Sequence, residues 1–351
     1  VSQLALTDDP ESQAHVAWLC AQYYVSSTGQ QYTKKLKKVQ ASSTGEEKTI
    51  KTFNGVQDDE FQKYKSIQTA TMSTQLYWLI WRSFMVIFRN PQDQLLRLGF
   101  YMFIALLIST PFTGLMVDQM GIQNMQGCLY LVIVETIYTF SYSVCHTFPS
   151  EMPIFLREIG NGLYTPGPYY ISKMIILFPR ALIEPILYSA LVFNIAGLFG
   201  GIVGFIQFCI PVIACAITAT AHGCMISAIF QSISTGTLLS VPVEQVTLVF
   251  CGIFLSLNNV PIYYAWIKFV SMFYYGLEAL SILQWTQIKK IPCSDNPNIP
   301  CIASGTEVLD KYGYKEDNFT FDLRGLFFMY CAAHMIAFFA FKKRSRKQAV
   351  Y

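Results

Sequence analysis

The chain has 351 residues, of which 53% are hydrophobic and 13% charged, about half the charge of a soluble globular protein. A net charge of +3 is too small to argue for nucleic acid as a partner. The four histidines (His15, His146, His222 and His334) stand far apart and the ten cysteines match no zinc pattern, so the sequence shows no metal ligands and no catalytic residues.

In chain order, residues 1–74 are polar and mixed in charge, and read as a solvated cytosolic linker. Within them "STGEEKT" (43–49) lacks the spacing of a phosphate loop. The chain begins with Val1, as a piece of a longer protein would. In "QLYWLIWRSFMVIFRNP" (75–91), Tyr77, Trp81, Phe84 and Phe88 recur at helical spacing, apart from Gln75, Arg82 and Arg89. This predicts an amphipathic helix lying along the cytosolic headgroups.

An all-α membrane protein with six transmembrane helices follows. The apolar runs place spans at about 97–117, 128–148, 174–198, 203–231, 244–262 and 324–342, within a membrane domain of 95–342. Pro179 and Pro185 fall inside the third, where neighbouring helices rescue freed carbonyls. The aromatic segment 258–285 contains Lys268 and Glu278 and reads as a short re-entrant helix. The tail 343–351 is basic, and with the mixed charges of residues 1–94 it places both termini in the cytosol. The 284–323 loop is then extracytosolic. It holds the sequon Asn318-Phe319-Thr320, read as a glycosylation site, and Cys293 and Cys301, read as a local disulfide.

Two features point to function. Glu135 lies inside the second span, where an unpaired carboxyl costs a few kcal/mol. It is either a counter-charge for an ammonium-bearing substrate or a structural hydrogen-bonding group. Glu184, beside Pro185, reads as structural. Between the second and third spans, "EMPIFLREIGNGLYTPGPYYISK" (151–173) carries an apolar pair, Phe155 and Leu156, next to Arg157 and Glu158. Such an element can seat in a partner's groove and pass its motion to the spans.

That stretch resembles the cytosolic loop of the G subfamily of ATP-binding-cassette transporters. "RSFMVIFRNP" (82–91) is similar to the subfamily's connecting helix, and residues 250–280 to its fifth span and re-entrant helix. The likeness covers nearly the whole chain and, within the subfamily, is greatest to the insect eye-pigment precursor half-transporters. It implies a nucleotide-binding domain preceding the linker, so that ATP and Mg2+ act through that domain and none is bound by this chain. It also implies a dimer with a second half-transporter, either a white-type subunit or another copy.

The substrate pathway implied by the resemblance takes Glu135, Thr136, Thr139, Phe140 and Ser143 from the second span and Ile253 and Phe254 as an apolar plug on the fifth. Phe155, Leu156, Arg157 and Glu158 would couple to the nucleotide-binding domain. The cargo implied is tryptophan or 3-hydroxykynurenine, carried across a pigment-granule or other intracellular vesicle membrane rather than the plasma membrane. Export of sterol or another lipid, and a non-transporting membrane scaffold, are the competing readings.

Overall fold

A computed structural model describes residues 70–115, 117–145, 147–230, 232–255, 257, 260–293 and 301–348, together with 30 and 34. The linker expected over 1–74 lies almost entirely outside these residues. Among the described residues the fold is helical without strands. Ten α-helices are labelled in chain order: α1 Met72–Arg89, α2 Pro91–Ser109, α3 Gln119–Val144, α4 Thr147–Gly160, α5 Pro166–Ala196, α6 Gly201–Ile229, α7 Ile233–Val249, α8 Met272–Trp285, α9 Gly305–Tyr312 and α10 Phe319–Gln348.

On α1 the inward face is formed by Gln75, Leu79 and Ser83, while Tyr77, Trp81, Phe84 and Phe88 are exposed. That arrangement suits a helix whose aromatic side meets lipid, because the polar positions find partners in the protein. The Gln75 amide donates to the Ala70 carbonyl at 2.6 Å, and its Oε1 accepts from the Thr165 backbone at 3.1 Å.

Helix α6 is the centre. It packs against α3, α5, α8 and α10, and its buried positions are mostly small, among them Ala216, Ala219, Ala221, Gly223 and Cys224. Small residues let helices approach when lipid supplies no hydrophobic drive between them. At Gly223 a β-carbon would overlap the Ser141 carbonyl of α3, so only glycine permits this crossing.

Five helical stretches are long and apolar enough to cross a membrane: Pro91–Phe112, Gln119–Gly160, Pro166–Ala196, Gly201–Ile229 and Glu316–Ser345. The remaining expected span, at 244–262, is displaced. Helix α7 runs over 17 residues from Ile233 to Val249, about 26 Å at 1.5 Å per residue, and residues 250–255 form turns. The sequence reading began this span after Glu244 because a carboxyl was an unlikely span residue. In the fold Glu244 is paired and buried, so the helix runs through it. It stops near Gly252, whose φ of +105° is left-handed and whose β-carbon would lie 2.6 Å from the Tyr314 hydroxyl.

The re-entrant helix expected within 258–285 corresponds to α8, nearly every residue of which is buried. The 284–323 region holds α9 and the first turn of α10, and Cys293 and Cys301 form the expected disulfide. Helix α10 continues through the basic segment to Gln348 rather than ending at 342. Replacing Gly223 with Val should cost about 1–3 kcal/mol by overpacking the α3–α6 crossing. It should reduce the yield of monodisperse protein in detergent, as size-exclusion chromatography would show, whereas Gly127→Ala, with open space around it, should not.

Candidate translocation and coupling sites

Helix α3 carries a half-exposed stripe at Tyr130, Val134, Glu135, Tyr138, Thr139, Tyr142 and Ser143. Residues 135, 139 and 143 recur every four positions and share a face. The Thr139 hydroxyl donates to Glu135 Oε1 at 2.8 Å, and Ser143 donates to the Phe140 carbonyl at 3.1 Å. Thr136 and Phe140 fall on the adjacent row and turn into the core. Thr136 is buried and donates to the Val132 carbonyl at 2.7 Å. Phe140 is 1% exposed, edge-on to Tyr101 at 5.8 Å and beneath the Arg180 guanidinium at 5.4 Å.

The expected pathway set is therefore divided. Glu135, Thr139 and Ser143 stay on the open face, while Thr136 and Phe140 are packing residues. The aromatic rings on the open face are Tyr138 and Tyr142, stacked at 5.9 Å. Ile253 and Phe254 are also corrected. They lie in the turns after α7 rather than on a span, with Ile253 half-buried and Phe254 exposed, edge-on to Tyr130 at 5.5 Å.

A second polar centre was missed by sequence reasoning. Glu244 of α7 is 2% exposed; its Oε2 accepts from the Tyr142 hydroxyl at 2.6 Å and its Oε1 from Ser141 at 3.3 Å. His222 Nδ1 of α6 stands 3.2 Å from the same Oε1. A charge buried between helices is retained only when it is paired and hydrogen-bonded, and two helices, α3 and α6, supply those partners here. One signal was present: Gly236, Ser240, Glu244 and Leu248 recur every four residues, a helical row that runs straight through the acid.

Glu184 is likewise satisfied, but by Arg180 one turn earlier on α5, through two bonds of 2.9 Å, and not by local backbone as expected.

Helix α4 is fastened to the membrane domain. Phe155 is 1% exposed and packs on Phe341 of α10 at 4.5 Å and on Tyr169 of α5 at 4.6 Å. Phe155 is thus an anchor rather than the outward knob expected, and Leu156 is half-buried beside it. Glu158 also faces inward, accepting two bonds from Arg82 of α1 at 2.9 Å and a third from the Tyr164 hydroxyl. Burial first, then the bond to Glu158, pushes the Tyr164 phenol well above its ordinary value, so it remains a donor at neutral pH. Lys173 and the Tyr169 hydroxyl hold Glu151 in the same way. The residues left outward include Ile154, Arg157 and Leu163.

Toward the opposite end, Asn318 is half-buried. Its Nδ2, the atom a glycan would occupy, donates to Glu278 Oε1 at 3.0 Å. Among the described residues no group of three or more His, Cys, Asp or Glu side chains is placed to hold a metal.

Comparison with known proteins fits this architecture. The ABC-2 type transporter family matches residues 74–285. The chain belongs to that family. It is 30% identical to Protein scarlet of Drosophila melanogaster over 342 residues, covering 96% of this chain and 49% of that one. It is 28% identical to Protein white of Ceratitis capitata over 340 residues, covering 96% and 48%. With Protein brown of Drosophila melanogaster it shares 26% over 304 residues, covering 86% and 44%. The chain thus spans about half the length of the curated relatives it matches.

Family membership puts weight on the α1–α4 pairing, since α1 and α4 lie within the matched segment. Exchanging the partners should test it. Glu158→Lys alone places two cations together and should lower the melting temperature of the full-length protein, while Arg82→Glu combined with Glu158→Lys should recover most of the loss. Because Arg82 is well exposed, the coupling recovered by the double variant should be modest, on the order of 1 kcal/mol.

Proposed function

We propose that this chain is the membrane half of an ATP-driven half-transporter that moves a small aromatic amino acid, tryptophan or 3-hydroxykynurenine, across an intracellular granule membrane. The observation that carries this reading is the open stripe of α3. A carboxyl oriented by Thr139 and two stacked tyrosines one turn away offer the complements of an ammonium group and an aromatic ring. These groups lie on a half-exposed face of one chain, so a second half would close the site, either a white-type subunit or another copy. The likenesses to scarlet, white and brown support the transporter class, and the relative named "ABC transporter ATP-binding protein/permease wht-1" supports ATP as the energy source.

In this reading ATP and Mg2+ belong to a nucleotide-binding domain outside these residues, and the present chain supplies the path and the mechanical link. Motion of that domain would be received at Ile154, Arg157 and Leu163 on the outward side of the α4 region. It would pass through the Phe155, Tyr169 and Phe341 stack into α5 and α10, and through the Arg82–Glu158 pair into α1. The buried Glu244 centre ties α3, α6 and α7 together, so the helix bearing Glu135 would move with its neighbours.

The test is uptake of labelled 3-hydroxykynurenine into vesicles holding the full-length protein and a white-type partner. ATP-dependent uptake is expected, and sterol movement without it would overturn the cargo assignment. Glu135→Gln should lower uptake about tenfold with assembly intact, the loss expected when a charge-assisted hydrogen bond is removed. Unchanged affinity would remove Glu135 from the site. Glu244→Gln should instead impair assembly, read as loss of the dimer peak, because it withdraws a buried acceptor that three donors share.

A further inference from the structure

The carboxyl groups of Glu278 on α8 and Asp322 on α10 are both 0% exposed, and Asn318, one turn before Asp322, donates to Glu278 at 3.0 Å, which brings the two acids together between the helices. Their partners are unequal. Glu278 Oε1 accepts from the Lys315 backbone at 3.1 Å and from Asn318 Nδ2 at 3.0 Å. Glu278 Oε2 and both oxygens of Asp322 have no hydrogen-bond partner. The side chains facing the pair are Tyr274 and Tyr275 of α8, Cys215 of α6 and Tyr314, none of which carries a positive charge at neutral pH. Among the described residues neither carboxyl has a cationic partner.

Two adjacent carboxylates in a low-dielectric interior cannot both remain ionised, and each unpartnered buried oxygen costs stability. One proton removes both penalties. We propose that Glu278 and Asp322 form a one-proton site, with the proton on Asp322 donated to Glu278 Oε2. The assignment within the pair follows from the donors: Glu278 collects two N–H groups, which favour its carboxylate, whereas Asp322 collects none. The shared proton then latches the buried α8 helix to the first turn of α10, at the junction where the chain returns from the 286–318 region into the membrane. A monovalent metal ion bound to the three open oxygens is the competing occupant.

Infrared spectroscopy of the full-length protein in nanodiscs distinguishes them. A protonated-carboxyl band that shifts in D2O and is lost in Asp322→Asn is expected. Asp322→Asn should also keep the wild-type melting temperature, because its amide donates where the proton did, while Asp322→Leu should lower it by leaving Glu278 without that donor. Exchanging sodium and potassium for N-methylglucamine should leave the melting temperature unchanged. Absence of the band in the unsubstituted protein, or a melting temperature that depends on sodium or potassium, would overturn the proposal. Neither result bears on the cargo, so the site stands or falls apart from the transport reading.

Discussion

The crossing of α3 and α6 at Gly223 sets the geometry on which the membrane domain depends. Because that position has no side chain, the backbone of α6 reaches the Ser141 carbonyl, and His222, the next residue along, is brought beside the α3 hydroxyl at 3.3 Å. The pocket so formed receives Glu244 from α7. A side chain at Gly223 would separate the helices and leave the carboxyl without Ser141 and the histidine, the situation a low-dielectric interior penalises most. Close packing and charge satisfaction are thus one constraint, since the small residues of α6 create the distance at which the polar groups of three helices can meet.

The same logic divides the charged residues into two kinds. Glu151, Glu158, Glu184 and Glu244 each have a named cationic or imidazole partner; Glu184 finds it within α5, and the other three fasten helices to one another. Glu135 differs, because its recorded hydrogen bond comes from a threonine on its own helix and its face is half-open. A carboxyl left in that state is available to something that is not part of this chain. The aromatic stack around Phe155 and the Arg82–Glu158 pair make α1, α4 and the ends of α5 and α10 a single packed unit.

Much of the fold was legible in the sequence because its signals are one-dimensional. Apolar runs bounded by charges overlap five helical stretches long and apolar enough to cross a membrane, aromatic periodicity located α1, and the loop shared by Cys293 and Cys301 located the disulfide. The candidate site was legible only in part. Glu135 was visible as a charge in an apolar run, but Phe140 entered through the resemblance, and which residues of α3 face inward is decided by packing against Tyr101 and Arg180. Glu244 was mistaken for a boundary because the rule that charges end spans holds only for unpaired charges.

By itself, then, the sequence determined the class of the protein: a helical membrane domain with an amphipathic helix before it. Composition and periodicity suffice for this, since bilayer thickness and backbone hydrogen bonding leave few alternatives. Only the tertiary structure decided which acids are ties and which is open, where α7 stops, and that Asn318 turns inward to Glu278. Several of those outcomes depend on partners 37 to 103 residues away along the chain, and pairings at such separations leave no local mark on the sequence.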